Sequence, residues 1–222
     1  MNKRVLAYVY MPVLFFISAY VILFLLFLPF RETVDLFVSA ISITEKAENT
    51  KVSSIFDEAK QKNITSVKNK IPSSQIEYPS LGAEYGVVNI DKYNVQARLI
   101  YGDSQEDLRE GVGQFNGGVF PGEEGTTLIG GHNTADLAAL GGVESDDTIT
   151  IKTSYETYQY KVTHKKVARF DDKSAIETLY KKSDNNQLIL YTCYPIDMIG
   201  LTDNRLFVYA ERISGKMIDQ NQ

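Results

Sequence analysis

"QLILYTCYPIDMIGLTDNRLFVYAERI", Gln187 to Ile213, holds two runs rich in Leu, Ile, Val, Phe and Tyr around a connection containing Pro, Gly, Asp and Asn. Apolar and aromatic runs of this length, bounded by turn residues, read as strands. QLILYT is apolar enough to be buried on both faces. Pro195 has no donor N–H and stops its ladder. Cys193, the only cysteine of the 222 residues, therefore stands where a rigid strand meets a loop, a position suited to a fixed nucleophile. A free cysteine is also a common small buried hydrophobe. On this stretch alone both readings stay open.

Working outward, the same pattern recurs. YGVVNI, VQARLIY, GTTLIGG, DTITIKT and TYQYKVTHKKVARF are short and rich in Val, Ile, Thr and Tyr, with Gly, Asp, Asn and Ser between them. Two stretches read as short helices, TADLAAL at 134–140 and KSAIETLYKK at 173–182. Many short strands with few helices predict a mainly β domain, an antiparallel barrel or sandwich.

The N-terminus sets the compartment. Lys3 and Arg4 precede a run from Val5 to Phe30 with no charged residue, longer than the about 20 residues a membrane-crossing helix needs. No small-residue cleavage site follows it. Residues 1–30 are expected to be an uncleaved signal anchor, with the N-terminus cytoplasmic by the positive-inside bias and the rest of the chain outside. Without Lys3 and Arg4, the 23 basic residues fall to 21 against 28 acidic ones, a net charge of −7 beyond the anchor. That balance argues against a nucleic-acid partner, which needs clustered Lys and Arg. Residues 31–82 lack Gly and Pro up to Pro72 and place Val52, Ile55, Phe56 and Ala59 at helical spacing, which predicts a juxtamembrane helical stalk and linker. The folded domain is expected over 83–213 and a polar tail over 214–222.

A nucleophilic thiol needs a partner, because a free cysteine with a pKa of about 8.5 is mostly protonated at neutral pH. Of two histidines, His164 lies inside a lysine-flanked strand and reads as a surface residue. His132 follows TTLIGG at a strand end and is the candidate acid or base. Arg205 opens the last strand, where a fixed cation can stabilise a developing oxyanion.

TLIGGHN and LYTCYP…NRLFVYAER resemble the sortases, membrane-anchored cysteine transpeptidases of Gram-positive bacteria. The similarity runs from about Ala83 to Ile213. Residue by residue, His132, Cys193 and Arg205 match the family's catalytic His, Cys and Arg, and Leu190 and Thr192 match its cysteine motif. Ile189 stands where the family usually has Thr, and Asn133 where related members often have Arg. The resemblance implies a closed eight-stranded sortase-type β-barrel with short helices. It further implies cleavage of an LPxTG-like sorting signal between Thr and Gly or Ala, and a thioester on Cys193. The acyl group then passes to an amine of a peptidoglycan precursor. Thr192 and Tyr194 are the expected substrate contacts. CYP before a Gly-containing loop, with an N-terminal anchor, is most like class D. A pilin-polymerising class C enzyme would carry a C-terminal span and an aromatic lid after Asp-Pro, and remains the alternative. No cofactor is expected. Glu123, Glu124, Asp171 and Asp172 have the oxygen chemistry that calcium takes, but read first as solvated charges. Two further rivals are an L,D-transpeptidase, whose Ser-x-Gly-Cys setting LYTCYPID lacks, and a non-catalytic membrane-tethered binding module in which Cys193 only packs.

Overall fold

The computed structural model describes residues 3–27, 70–173, 177, 185–196, 198 and 202–221. The chain divides into two compact units, Met1–Ile41 and Ser42–Gln222. In the first, helix α1 spans Lys3–Phe27, and its side chains from Met11 onward are almost all exposed. No helix among the described residues is long and apolar enough to cross a membrane. The span expected over residues 1–30 is therefore not established by the structure. The stalk helix expected around Val52–Ala59 lies outside the described residues, as does most of the helix expected at 173–182.

The second unit is built on an eight-stranded closed barrel. Its strands are β2 (Glu84–Ile90), β3 (Val95–Tyr101), β4 (Val112–Gln114), β5 (Gly125–Gly131), β6 (Thr148–Thr153), β7 (Thr157–Arg169), β8 (Asn186–Tyr194) and β9 (Asn204–Ser214). Around the barrel the order is β2-β3-β4-β5-β8-β9-β7-β6, with β6 pairing back to β2. Two pairings, β3 with β4 and β5 with β8, are parallel, where the strand pattern alone suggests an antiparallel barrel. Parallel neighbours need a crossover. The short helix α2 (Gln105–Glu110) supplies one, and the β6–β7 excursion lies between β5 and β8. Ser104 and Asp107 close a capping box at the start of α2, each side chain bonded to the other's backbone N–H.

Outside the barrel, β1 (Lys70–Pro72) pairs in parallel with β10 (Met217–Asp219). These residues fall in the segments read as linker and tail. Ile71 and Ile218 join the core, and the Ile218 N–H donates to the Gly122 carbonyl at 2.8 Å.

TADLAAL does not form an α-helix. Residues 133–137 are turns, followed by a 3-10 turn at Ala138–Gly141. Leu137, Leu140 and Val143 are all fully buried, and a spacing of three matches the 3-10 repeat rather than the α one.

Strand alternation separates two apolar faces. Ile129, Ile151, Tyr158, Leu188, Leu190 and Val208 fill the barrel interior. Leu128, Ile189, Phe207 and Tyr209, from alternate positions, form a second cluster on the other face of β5, β8 and β9. Each such side chain contributes about 1.5–3 kcal/mol when fully removed from water. The interior cluster holds the barrel closed; the second one forms the ground beside Cys193.

Candidate active site

β8 lies between β5 and β9, and its register brings three strand ends together. Cys193 pairs directly with Arg205 across the antiparallel β8–β9 ladder. On the other side, the parallel β5–β8 ladder ends at Gly131 opposite Thr192. His132 is the next residue of the chain and leaves β5 level with Cys193. Neighbouring strands lie about 5 Å apart, so both candidate partners start one strand away from the thiol. Ile189, Tyr191 and Cys193 share the face of the second apolar cluster, whereas Leu188, Leu190 and Thr192 face away from it.

Each group has a distinct setting. Cys193 is half-buried. Among the described residues Arg205 is anchored through Nη1, which donates to the carbonyls of Thr202 at 2.5 Å and Asn204 at 2.9 Å and to the Thr202 hydroxyl at 3.4 Å. Among the described residues its Nε and Nη2 make no hydrogen bond. Burial, with the nearby Arg109 cation at the end of α2, lowers the His132 pKa from its ordinary value and favours the neutral imidazole.

Tyr191 was not singled out by sequence. It faces Gly130 across the ladder, and its ring occupies the space a Gly130 Cβ would need: such an atom would lie 2.4 Å from Cζ and 2.6 Å from the hydroxyl. Burial first, then the charge of Asp103, push the Tyr191 phenol up to about 12, with Arg205 opposing and Cys193 adding to the rise. Its phenol thus lies near both Cys193 and Asp103, the latter in the loop after β3. Asn133, noted from sequence only as a departure from its relatives, is buried. Its Nδ2 donates to the carbonyls of Pro195 and Met198, both at 3.0 Å.

The family model for the sortase domain matches residues 88–213, more than half of the chain. The chain belongs to the sortase family. It is similar to "Sortase D" of Bacillus subtilis, 29% identical over 136 residues that cover 61% of this chain and 67% of that protein. Among solved structures it resembles sortase C1 of Streptococcus suis, with 28% identity, a TM-score of 0.53, and coverage of 60% of this chain and 74% of that one. The fold also matches a Clostridium perfringens Sortase D5 transpeptidase at 22% identity, with a TM-score of 0.56, over 78% of this chain and 99% of that one. The protein is thus a cysteine transpeptidase, with relatives that include class D sortases. A module in which Cys193 only packs, and an L,D-transpeptidase, both fall away.

Not every residue named from sequence has the setting expected of it. Thr192 of this sortase is buried, and its hydroxyl donates to the Gly131 carbonyl at 2.8 Å. It ties β8 to β5 and offers no open face to a ligand. Tyr194 is exposed at the strand end. His164 is exposed on β7, stacked on Tyr209 with ring centroids 4.4 Å apart. The four carboxylates considered for calcium do not converge. Glu123 is buried and accepts from the Tyr78 hydroxyl and the Phe120 N–H, while Glu124 lies 4.0 Å from Lys70. Asp171 and Asp172 pair with Arg169 and Lys166. No cluster of metal-ligating side chains occurs among the described residues.

Proposed function

We propose that this sortase cleaves an LPxTG-like sorting signal between Thr and Gly or Ala and transfers the acyl portion to an amine of a cell-wall precursor. The observation that carries this reading is the register of the three strand ends: Cys193 opposite Arg205, with His132 one residue beyond the Gly131–Thr192 pair. His132 takes the proton of the Cys193 thiol, the resulting thiolate adds to the Thr carbonyl carbon, and the carbonyl π pair moves to oxygen. Arg205, whose Nε and Nη2 carry no bond to the described residues, receives the oxyanion. The tetrahedral adduct collapses, the C–N bond breaks, and the leaving amine takes a proton from His132. A thioester remains on Cys193. The incoming amine attacks it, His132 takes up the proton, and the C–S bond breaks to release the new amide and the thiolate. The lowered pKa of His132 suits the second half, in which imidazole is the base.

The uncharged run from Val5 to Phe30, with Lys3 and Arg4 before it, is proposed as the membrane anchor that holds the catalytic domain outside the cell. The scheme uses no cofactor and no calcium.

The test is incubation of the protein with a library of pentapeptide signals and two amines, a peptidoglycan-type cross-bridge peptide and a lysine-containing peptide. Ligation to the cross-bridge amine supports the reading. Ligation to the lysine peptide alone supports the pilin-polymerising alternative, to which the resemblance to a sortase C1 gives weight.

A further inference from the structure

His132 and Cys193 sit on different strands, and the ladder that joins those strands ends one residue short of them. Beyond Gly131 and Thr192, no backbone pairing sets the distance between imidazole and thiol. Two turns begin there. The His132 carbonyl accepts from the N–H groups of Ala135 and Leu137 at 3.5 and 3.2 Å, and Leu137 anchors that turn in the core. On the cysteine side, the Met198 N–H donates to the Pro195 carbonyl at 3.3 Å, and Ile196 is in a turn.

The Asn133 amide joins the two. A primary amide has two N–H donors on one nitrogen, and here that nitrogen reaches the Pro195 and Met198 carbonyls at once. The bridge is part-buried: Asn133 is buried, whereas Pro195 and Met198 are exposed, so the amide holds the outer turn from below. Ile196 packs over Gly141 next to it, so apolar contact reinforces the polar bridge.

We propose that Asn133 is a positioning residue for acyl transfer: its amide clamps the turn that follows Cys193 to the turn that carries His132, fixing thiol and imidazole relative to each other. This rests on the Cys193–His132 chemistry proposed above. It also accounts for the departure at this position: an arginine is longer and charged, whereas a short neutral amide fits between two carbonyls.

Two variants of the full chain test the clamp. Asn133→Asp keeps the size and shape of the side chain but sets an acceptor against two carbonyl oxygens. Asn133→Ala removes the donors without adding a charge, and decides the matter if the aspartate variant fails to fold by circular dichroism. The readouts are kcat and KM on the best peptide of the library, and the pH profile of Cys193 alkylation by iodoacetamide, with His132→Ala as reference. The expected result is a kcat lowered about 10–100-fold, the scale of a misplaced catalytic group, with KM nearly unchanged. The alkylation profile moves toward that of His132→Ala. A folded variant with wild-type kcat and profile overturns the clamp, as does a change confined to KM. Should His132→Ala itself alkylate like the wild type, thiol and imidazole are uncoupled, and the clamp falls together with the proposed chemistry. If His132→Ala shifts the profile and the Asn133 variants do not, only the clamp falls.

Discussion

The two ends of β8 are built in opposite ways. At its start, Asn186 is fully buried and its side chain makes three hydrogen bonds. Oδ1 accepts from the Gly122 N–H at 3.1 Å and from the Tyr160 hydroxyl, and Nδ2 donates to the Thr127 hydroxyl at 3.1 Å. At its other end, Cys193 is half-buried, and among the described residues Arg205 is held through one nitrogen. The His132 ring makes no hydrogen bond to any described residue. One end closes the barrel with a buried hydrogen-bond network around Asn186. The other holds its polar groups by backbone, register and neighbouring turns, which leaves reactive atoms open. A single strand therefore serves stability at one end and chemistry at the other.

The largest expected contrast comes from removing one side chain at each end. Cys193→Ala should abolish peptide cleavage and transfer while leaving the melting temperature close to wild type. Asn186→Ala should leave the specific activity of folded protein intact, yet lower stability by roughly 2–4 kcal/mol, because it strands buried donors. Chemical denaturation and turnover, measured on both, check this pair. Loss of stability in Cys193→Ala with retained activity would reverse the assignment of the ends.

At the open end, His132→Ala should be nearly inactive and His164→Ala nearly normal, since His164 sits exposed on the Tyr209 ring. Equal losses would remove the distinction. Arg205→Ala should lower kcat/KM about 10²–10³-fold, the usual cost of one oxyanion donor. Arg205→Lys should recover only part of it, because Lys keeps the charge without the planar fork. A lysine variant equal to wild type would mean that charge alone is needed.

The smallest effect concerns the His132 titration. Burial first and Arg109 second lower its pKa, so its midpoint, followed by NMR, should lie below the ordinary 6.5. Protonation therefore costs folding free energy as pH falls through that range. Arg109→Gln removes one cause and should move the midpoint upward; a downward move would contradict the electrostatics.

Much of this was legible in sequence. The seven longer strands announce themselves through β-branched and aromatic runs, and the His132, Cys193 and Arg205 strand ends follow from Gly, Pro and polar residues that stop those runs. Strands β1, β4 and β10 have three residues each and no room to show a period. The Ser104–Asp107 capping box did carry a local signal for α2. The parallel pairings and the Tyr191 ring over Gly130 depend on register, which no local pattern encodes. The Asn133 bridge spans more than sixty positions of chain, and only its unusual place after His132 was visible.

The central claim is that the open end of β8 forms a covalent acyl-enzyme through Cys193. The direct measurement is intact-protein mass spectrometry after mixing wild type with a sorting peptide in the absence of amine. The expected result is a mass increase equal to the peptide's portion up to Thr, sensitive to hydroxylamine, mapped to Cys193 and absent from Cys193→Ala. Cleavage of the peptide with no such adduct, or with an adduct on another residue, would contradict the account.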